Sequence, residues 1–252
     1  MNRVIHAHLP WSRRHEFLPM FQQLGLGVEL GLTGEDLDDL TPGTSLPAQL
    51  LPPAPVTIHA PFNDLNPGAS DPRIFEVTRE RLFQTLAIAE RTGAKLIVCH
   101  PGYEHWRYAG NVDQWLEASL HFWPAILQRA EQLQCTITLE NVFDTRPEPL
   151  HRLLTSLDHP LLGHCFDIGH WYLFSDVSIP EWLDVLGPYL KHLHLHDNTG
   201  SNDAHMPVGE GNIDFQLFFS ELTRRSLCPS LTLEAHKPRH LKRSCKAIQD
   251  YL

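Results

Sequence analysis

The sequence predicts an α/β protein in which a single domain, residues 1–252, forms a (β/α)8 TIM barrel. Short apolar runs rich in β-branched residues alternate with longer segments of helical period, which is the pattern of parallel strands joined by helices. We count eight such units, and 252 residues is a common length for eight of them closed into one barrel. A doubly wound open sheet is the alternative that the same pattern allows.

Each predicted strand is a short apolar run in which β-branched residues are frequent. The eight runs cover residues 3–9, 27–32, 56–61, 95–100, 136–141, 163–168, 192–197 and 230–235. Several of them alternate apolar and polar side chains along the chain. In the fifth, we expect Ile137 and Leu139 to face the helices, and Thr138 and Glu140 to face the barrel interior.

The helices are predicted between these strands. They cover residues 14–25, 73–92, 111–133, 148–157, 180–190, 214–227 and 239–251. In the clearest of them apolar residues recur at near-fourfold spacing, and Gly93 is placed to end the helix. Pro124 is expected to bend the longest one. Residues 33–55 contain the turn-forming runs T-P-G and P-P-A-P, so an irregular connection is expected there.

Composition argues against several classes of protein. The formal charge of −10 would repel a phosphate backbone, so we expect a small-molecule substrate and no nucleic-acid partner. The five cysteines show no C-x-x-C spacing, which disfavours a disulfide framework and a cysteine-type zinc site and favours a reducing cytoplasm. Neither a secretion signal nor an apolar run long enough to span a membrane is visible, so no membrane association is expected. The oligomeric state is left open.

Polar side chains on the inward face of three predicted strands indicate a functional barrel interior. The fifth and eighth strands share the sequence T-L-E, which ends each of them on an inward glutamate, Glu140 and Glu234. In the seventh strand, leucines alternate with His192, His194 and His196, which are expected to point inward. Unpaired polar groups are costly in a barrel interior, so this accumulation needs a functional reason.

Imidazoles and carboxylates also gather near the predicted carboxyl ends of the strands, which a barrel brings into one ring. Nine candidate metal ligands should converge there: His59, His100, Glu140, Asp167, His170, His194, Asp203, His205 and Glu234. Neutral imidazole and carboxylate suit Zn, Mn, Fe and Co, whereas a closed structural zinc site would favour thiolates. The expected cofactors are divalent metal ions, zinc or manganese, at two or three per chain.

Eight short motifs resemble those of the xylose-isomerase-like, AP-endonuclease family 2 barrels. They are H-A-P-F-N (59–63), C-H-P-G (99–102), L-E-N (139–141), F-D-I-G-H (166–170), H-L-H-D-N (194–198), D-A-H (203–205), G-E-G-N-I-D (209–214) and L-E (233–234). The resemblance covers about residues 56–236, from the third predicted strand to the eighth. It implies the same barrel fold and a metal-dependent enzyme.

This resemblance implies one of two metal patterns. The isomerases and epimerases of the family use one divalent metal, held at positions that match Glu140, Asp167, His194 and Glu234. In them the two glutamates also act as acid and base, which makes Glu140 and Glu234 the candidate catalytic residues. The endonuclease IV pattern holds three zincs with nine residues, and all nine positions are filled here. His196 stands where endonuclease IV has an amide.

The nine filled positions favour phosphodiester hydrolysis. Clustered metals can generate hydroxide, offset phosphate charge and stabilise the departing oxygen, whereas an enediol isomerase needs one metal and a placed carboxylate. An AP endonuclease is less favoured, because the chain is acidic and the loops after the strands are short. The segments 59–71, 99–104 and 139–143 are similar to a cobamide-remodelling branch of the family, so the nucleotide loop of a corrinoid cofactor is a candidate substrate.

Other side chains near the strand ends receive weaker assignments. His8 and Glu29 are candidates for lining the pocket or orienting a metal ligand. Trp171 and Tyr172 are placed in a loop after the sixth strand. Asp197 and the deeper His192 are assigned no metal role.

Overall fold

The eight strands form a closed parallel barrel in chain order in the computed structural model, which describes residues 4–51 and 54–252. They are β1 (Ile5–Pro10), β2 (Gly27–Gly31), β3 (Val56–His59), β4 (Leu96–Cys99), β5 (Thr136–Glu140), β6 (Leu162–Asp167), β7 (Leu190–Leu195) and β8 (Ser230–Leu233). Because β1 pairs with both β2 and β8, the predicted barrel is confirmed and the open sheet is wrong. Arg3, in the first predicted strand, lies outside the described residues.

The helices surround the barrel. They are α1 (Arg14–Leu24), α2 (Gly34–Asp39), α3 (Pro72–Thr92), α4 (Val112–Leu133), α5 (Glu148–Leu157), α6 (Ile168–Phe174), α7 (Ile179–Leu186), α8 (Phe215–Arg224) and α9 (Pro238–Ala247). Helix α3 begins where the Asp71 carboxylate accepts the backbone N–H of Arg73 at 2.7 Å, and it ends at Gly93, whose φ is 70°. Helix α4 continues through Pro124.

Two connections differ from a simple strand-to-helix loop. Residues 33–55 contain α2, whose first turn is capped by Thr33 and Asp36, and a short 3-10 helix at Ala48–Leu50. Pro52 and Pro53, on which the expectation of irregularity partly rested, lie outside the described residues. The placement of Trp171 and Tyr172 in a loop is wrong, because both lie in α6, which follows β6 without a linker.

The main apolar core lies between the barrel and its helices. Ile137 and Leu139 of β5 and Leu193 and Leu195 of β7 are buried there, as the alternation predicts. The barrel interior instead holds buried polar side chains. The carboxyl ends of all eight strands open at one face, so polar residues from distant parts of the chain meet there.

The structure also bears on two expectations from the sequence, which concern disulfides and membrane spans. All five cysteines are free, and burial raises the pKa of the Cys135 thiol to about 12, which disfavours a reactive thiolate. In the parts of the chain that the structure describes, no helix is long and apolar enough to cross a membrane.

Candidate metal centre

All nine predicted ligands lie in one continuous cluster at the carboxyl end of the barrel. The strands β3, β5, β6 and β7 supply four of them from their last two residues: His59, Glu140, Asp167 and His194. The segments that follow β4, β6, β7 and β8 supply the other five: His100, His170, Asp203, His205 and Glu234. Each member places a nitrogen or a carboxylate oxygen within 3.6 Å of another member.

Glu140 lies at the centre of the cluster and is 1% exposed. Its Oε2 is 3.1 Å from His59 Nε2 and 3.4 Å from His100 Nε2. Its Oε1 is 3.1 Å from His170 Nδ1 and 3.5 Å from His194 Nδ1. The two oxygens of one carboxylate therefore connect histidines from four different segments of the chain.

Glu234 makes a second connection. Its Oε1 is 3.3 Å from His194 Nδ1, and its Oε2 is 3.5 Å from His205 Nδ1. His205 Nε2 in turn lies 2.9 Å from Asp203 Oδ2, and His170 Nε2 lies 3.5 Å from the same oxygen. Asp203 is therefore connected to Glu140 through His170 and to Glu234 through His205.

Asp167 is held in place by its backbone as well as by its side chain. Asn141 accepts the Asp167 N–H at 2.9 Å and donates to the Asp167 carbonyl at 2.8 Å. The Asp167 Oδ1 accepts the backbone N–H of His170 at 2.7 Å, which starts α6. This capping bond fixes two candidate ligands relative to each other, because the first turn of α6 carries the His170 side chain.

The loop that carries Asp203 and His205 is organised by Asp197. The Asp197 carboxylate accepts four backbone N–H groups, from Asn198, Gly209, Gly211 and Ile213, at 2.8 to 3.2 Å. Both carboxylate oxygens are engaged by these backbone groups. The Asp197 side chain therefore holds the loop in its conformation.

Glu29, which is a candidate for orienting a metal ligand, and His196 have partners that the sequence does not reveal. Glu29 is fully buried, with Oε1 3.0 Å from His194 Nε2 and Oε2 3.0 Å from His192 Nε2. His196 places Nε2 3.1 Å from an Asp167 oxygen, and its ring stacks on His205 with centroids 4.0 Å apart. The alternation along each strand predicts that both side chains face the barrel interior. It does not predict their partners, which lie far away along the chain.

The cluster fits divalent cations. Two ligands bound 2.0–2.1 Å from a tetrahedral zinc are about 3.3 Å apart, close to the separations around Glu140 and Glu234. Buried His194 Nδ1 and His205 Nδ1 have no hydrogen-bond partner among the described residues. Within that same set, the cluster carboxylates pair only with histidines and with no lysine or arginine. Cations would balance this negative charge and satisfy the free nitrogens.

The histidines tune the carboxylates. Burial opposes the ionisation of Glu140, but the charges of His194 and His100 outweigh it and hold the pKa of this carboxyl well below its ordinary value. Burial likewise opposes the ionisation of Glu234, and His194 and His205 lower its pKa to about 2. Both glutamates are therefore carboxylates at neutral pH, which is the form that binds metal ions.

Comparison with known families identifies the fold. Residues 52–251 match the family model described as xylose isomerase-like TIM barrel. The protein MJ1311 of Methanocaldococcus jannaschii is 30% identical over 204 residues, which cover 78% of this chain and 70% of that protein.

Solved structures share the whole barrel. The TTHB071 protein from Thermus thermophilus, soaked with ZnCl2, is 29% identical with a TM-score of 0.77, covering 98% of this chain and 97% of that chain. A D-tagatose 3-epimerase-like protein is 23% identical with a TM-score of 0.79, covering 98% and 96%. Other sugar epimerases and an endonuclease IV share the fold at identities of 15% to 20%. The chain belongs to the xylose isomerase-like TIM barrel family.

Proposed function

We propose that this protein is a metal-dependent phosphodiesterase that acts on a small or cofactor-sized substrate. The observation that carries the proposal is the continuity of the cluster. Five side chains beyond the one-metal set of the isomerases continue the cluster: His59, His100, His170 and His205 lie against that set, and Asp203 contacts His170 and His205. A single-metal isomerase has no use for them, whereas in-line displacement at phosphorus benefits from clustered metals.

The proposed sites divide the cluster into three groups. His59, His100 and Glu140 would hold a first ion. Asp167, His194 and Glu234, together with the bridging Glu140, would hold a second. His170, Asp203 and His205 would hold a third. Bound zinc or manganese would supply Lewis acidity, lower the pKa of water and offset the charge of the phosphate.

Glu140 and Glu234 are the proposed catalytic residues. Glu140 contacts histidines of all three groups and Glu234 contacts histidines of two, so each carboxylate lies where groups meet. Both are buried and ionised, so they would hold the histidines and the bound ions in fixed positions around the reacting phosphate. Because these groups are already in position, the site does not have to rearrange its charges as the reaction proceeds.

The substrate is proposed to be small. The chain carries a formal charge of −10, which disfavours a long phosphate backbone. The segments that resemble the cobamide-remodelling branch contribute Phe62, His100, Tyr103 and Phe143 to one cavity beside the cluster. This shared location supports the nucleotide loop of a corrinoid cofactor as the candidate substrate.

The second candidate function is isomerisation or epimerisation of a sugar or sugar phosphate. It is favoured by the contact of Glu140 and Glu234 with the same His194 nitrogen, beside Asp167. These four residues are a complete one-metal set. The extra five ligands distinguish the two functions, because only the hydrolase requires them.

The test compares hydrolysis of bis(p-nitrophenyl) phosphate with proton exchange on ketoses. Zinc- or manganese-loaded protein should release p-nitrophenol, and His170→Ala and Asp203→Ala should abolish the release. His15→Ala, at an exposed position on α1, is the matched control and should retain it. If the protein instead exchanges carbon-bound hydrogens of ketoses in D2O, cleaves no diester and keeps that exchange in His170→Ala, it is an isomerase.

A further inference from the structure

We propose that the substrate carries a planar aromatic arm, which binds in a cavity beside the metal cluster between Phe62 and Phe143. This inference deepens the proposed function and rests on it. The cavity, here called the aromatic cavity, has a volume of about 250 Å3 and is lined by Phe62, Asn63, His100, Tyr103, Arg107 and Phe143 among others. It is formed by the segments that follow β3, β4 and β5.

Two phenyl rings of the aromatic cavity are exposed although they lie in a concave site. Phe62 is 42% exposed and Phe143 is 47% exposed. Exposed aromatic side chains beside a functional centre are favourable surfaces for a ligand, because covering them removes apolar area from water and offers ring faces for stacking. Both positions belong to the loops of the reactive end rather than to the outer helices.

Phe62 is anchored to the metal cluster. Its ring stacks on His100 with centroids 4.2 Å apart and an interplanar angle of 18°. Phe143 is supported from another side by Phe174, whose centroid is 5.1 Å away. Both rings are therefore supported by neighbouring side chains before a ligand arrives, which reduces the entropy cost of binding.

A second cavity also borders Phe62. It has a volume of about 210 Å3, and His8, Ser12, Thr33 and His59 are among its lining residues. Phe62 and Asn63 line both cavities, so the two cavities adjoin at these residues. His100 lines the aromatic cavity and His59 lines the second cavity, so the cluster is reached from both sides.

This arrangement matches a diester with two different arms. A phosphate at the cluster beside His59 and His100 would extend one arm into each cavity. The aromatic cavity combines phenyl faces with polar groups, including Arg107, which pairs with Glu104 at 2.7 Å. Ring faces together with polar edges suit a heteroaromatic base. The second cavity, with hydroxyl and imidazole groups, suits the non-aromatic arm.

The test measures binding and does not require turnover. The probes are benzyl methylphosphonate and cyclohexylmethyl methylphosphonate, monoanions of similar size that differ in the planarity of one arm. Zinc-loaded protein is titrated with each by calorimetry. We expect the benzyl compound to bind about 2- to 12-fold more tightly, which is the range that aromatic stacking adds beyond area burial.

Leucine variants identify the rings that cause the preference. Phe62→Leu and Phe143→Leu keep apolar bulk and should remove the preference, whereas Trp106→Leu should retain it. Trp106 is 92% exposed in the loop after β4 and lines neither cavity. Zinc content is measured for every variant, and if Phe62→Leu alters it through His100, the Phe143→Leu result decides.

The outcomes separate this inference from the proposed function. Equal binding of the two phosphonates by the unmodified protein would overturn the aromatic subsite, and so would a preference that survives in both phenylalanine variants. A benzyl preference without any diester hydrolysis would refute the phosphodiesterase and leave the subsite standing. Diester hydrolysis without a benzyl preference would refute the aromatic subsite and leave the phosphodiesterase standing.

Discussion

Substituting Glu29→Gln tests whether a residue below the cluster controls metal binding. The Glu29 carboxylate faces His194 Nε2 and His192 Nε2, each at 3.0 Å, and accepts the Thr232 hydroxyl at 2.8 Å. A metal-binding histidine whose other nitrogen donates to a carboxylate has its tautomer and ring orientation fixed. Glutamine keeps the size of the side chain but replaces one acceptor oxygen with a donor.

The magnitude follows from that mismatch. Whichever way the amide is turned, its NH2 group faces either the His194 nitrogen, which lies 3.0 Å from Oε1, or the Thr232 hydroxyl, which donates to Oε2, so one buried group loses its carboxylate oxygen. An unsatisfied buried donor costs about 1–3 kcal/mol, and loss of such an outer carboxylate lowers metal affinity about 10- to 100-fold. We therefore expect zinc affinity to fall within that range while the barrel still folds.

Competition with a chromophoric chelator measures zinc affinity directly. Glu76→Gln, on the exposed surface of α3, is the matched control and should bind zinc like the unmodified protein. Thr232→Val, which removes one donor to Glu29 at nearly constant shape, should have a smaller effect than Glu29→Gln. Unchanged zinc affinity in Glu29→Gln, with unchanged circular dichroism, would refute the positioning role.

Three further predictions concern His164, Asp197 and DNA. His164 Nδ1 donates to the Leu139 carbonyl and Nε2 accepts the Trp182 indole N–H, and burial lowers its pKa from 6.5 to about 4. The unfolded chain therefore takes up this proton first as pH falls, so the stability that metal-free protein loses between pH 7 and pH 5 in urea unfolding should be about 2 kcal/mol larger than the loss in His164→Gln. Asp197→Asn, which keeps one of two acceptor oxygens, should lower stability by about 1–3 kcal/mol in thermal unfolding and reduce the metal bound per chain. A DNA duplex with an abasic site should remain uncleaved at low salt, and efficient cleavage would restore the endonuclease hypothesis.

The barrel and the nine-residue cluster were predictable from local patterns. Alternation along β7 separates Leu193, which faces the helices, from His194, which faces the interior, and strand order then brings the ends together. The prediction needed no knowledge of exact strand boundaries. Convergence of the nine side chains depends on topology, and the topology was readable from the sequence.

Contacts between distant segments were not predictable in the same way. The role of Glu29 depends on partners in β7, and a single sequence does not reveal which inward residues meet. Helix α6 was missed because Ile168 and Gly169 continue an apolar strand pattern, while the start of the helix depends on the Asp167 cap. Gly169 also gives His196 room, since a Cβ there would lie 2.0 Å from His196 Cε1.

The central claim is that this chain holds more than one metal ion at the open end of its barrel. Zinc-edge anomalous diffraction from crystals of the zinc-loaded protein, together with elemental analysis of the same sample, locates and counts the ions. We expect two or three zincs per chain, with Glu140 shared between two of them and His170, Asp203 and His205 around a third. One ion at Glu140, Asp167, His194 and Glu234, with the other five side chains free of metal, would contradict the claim.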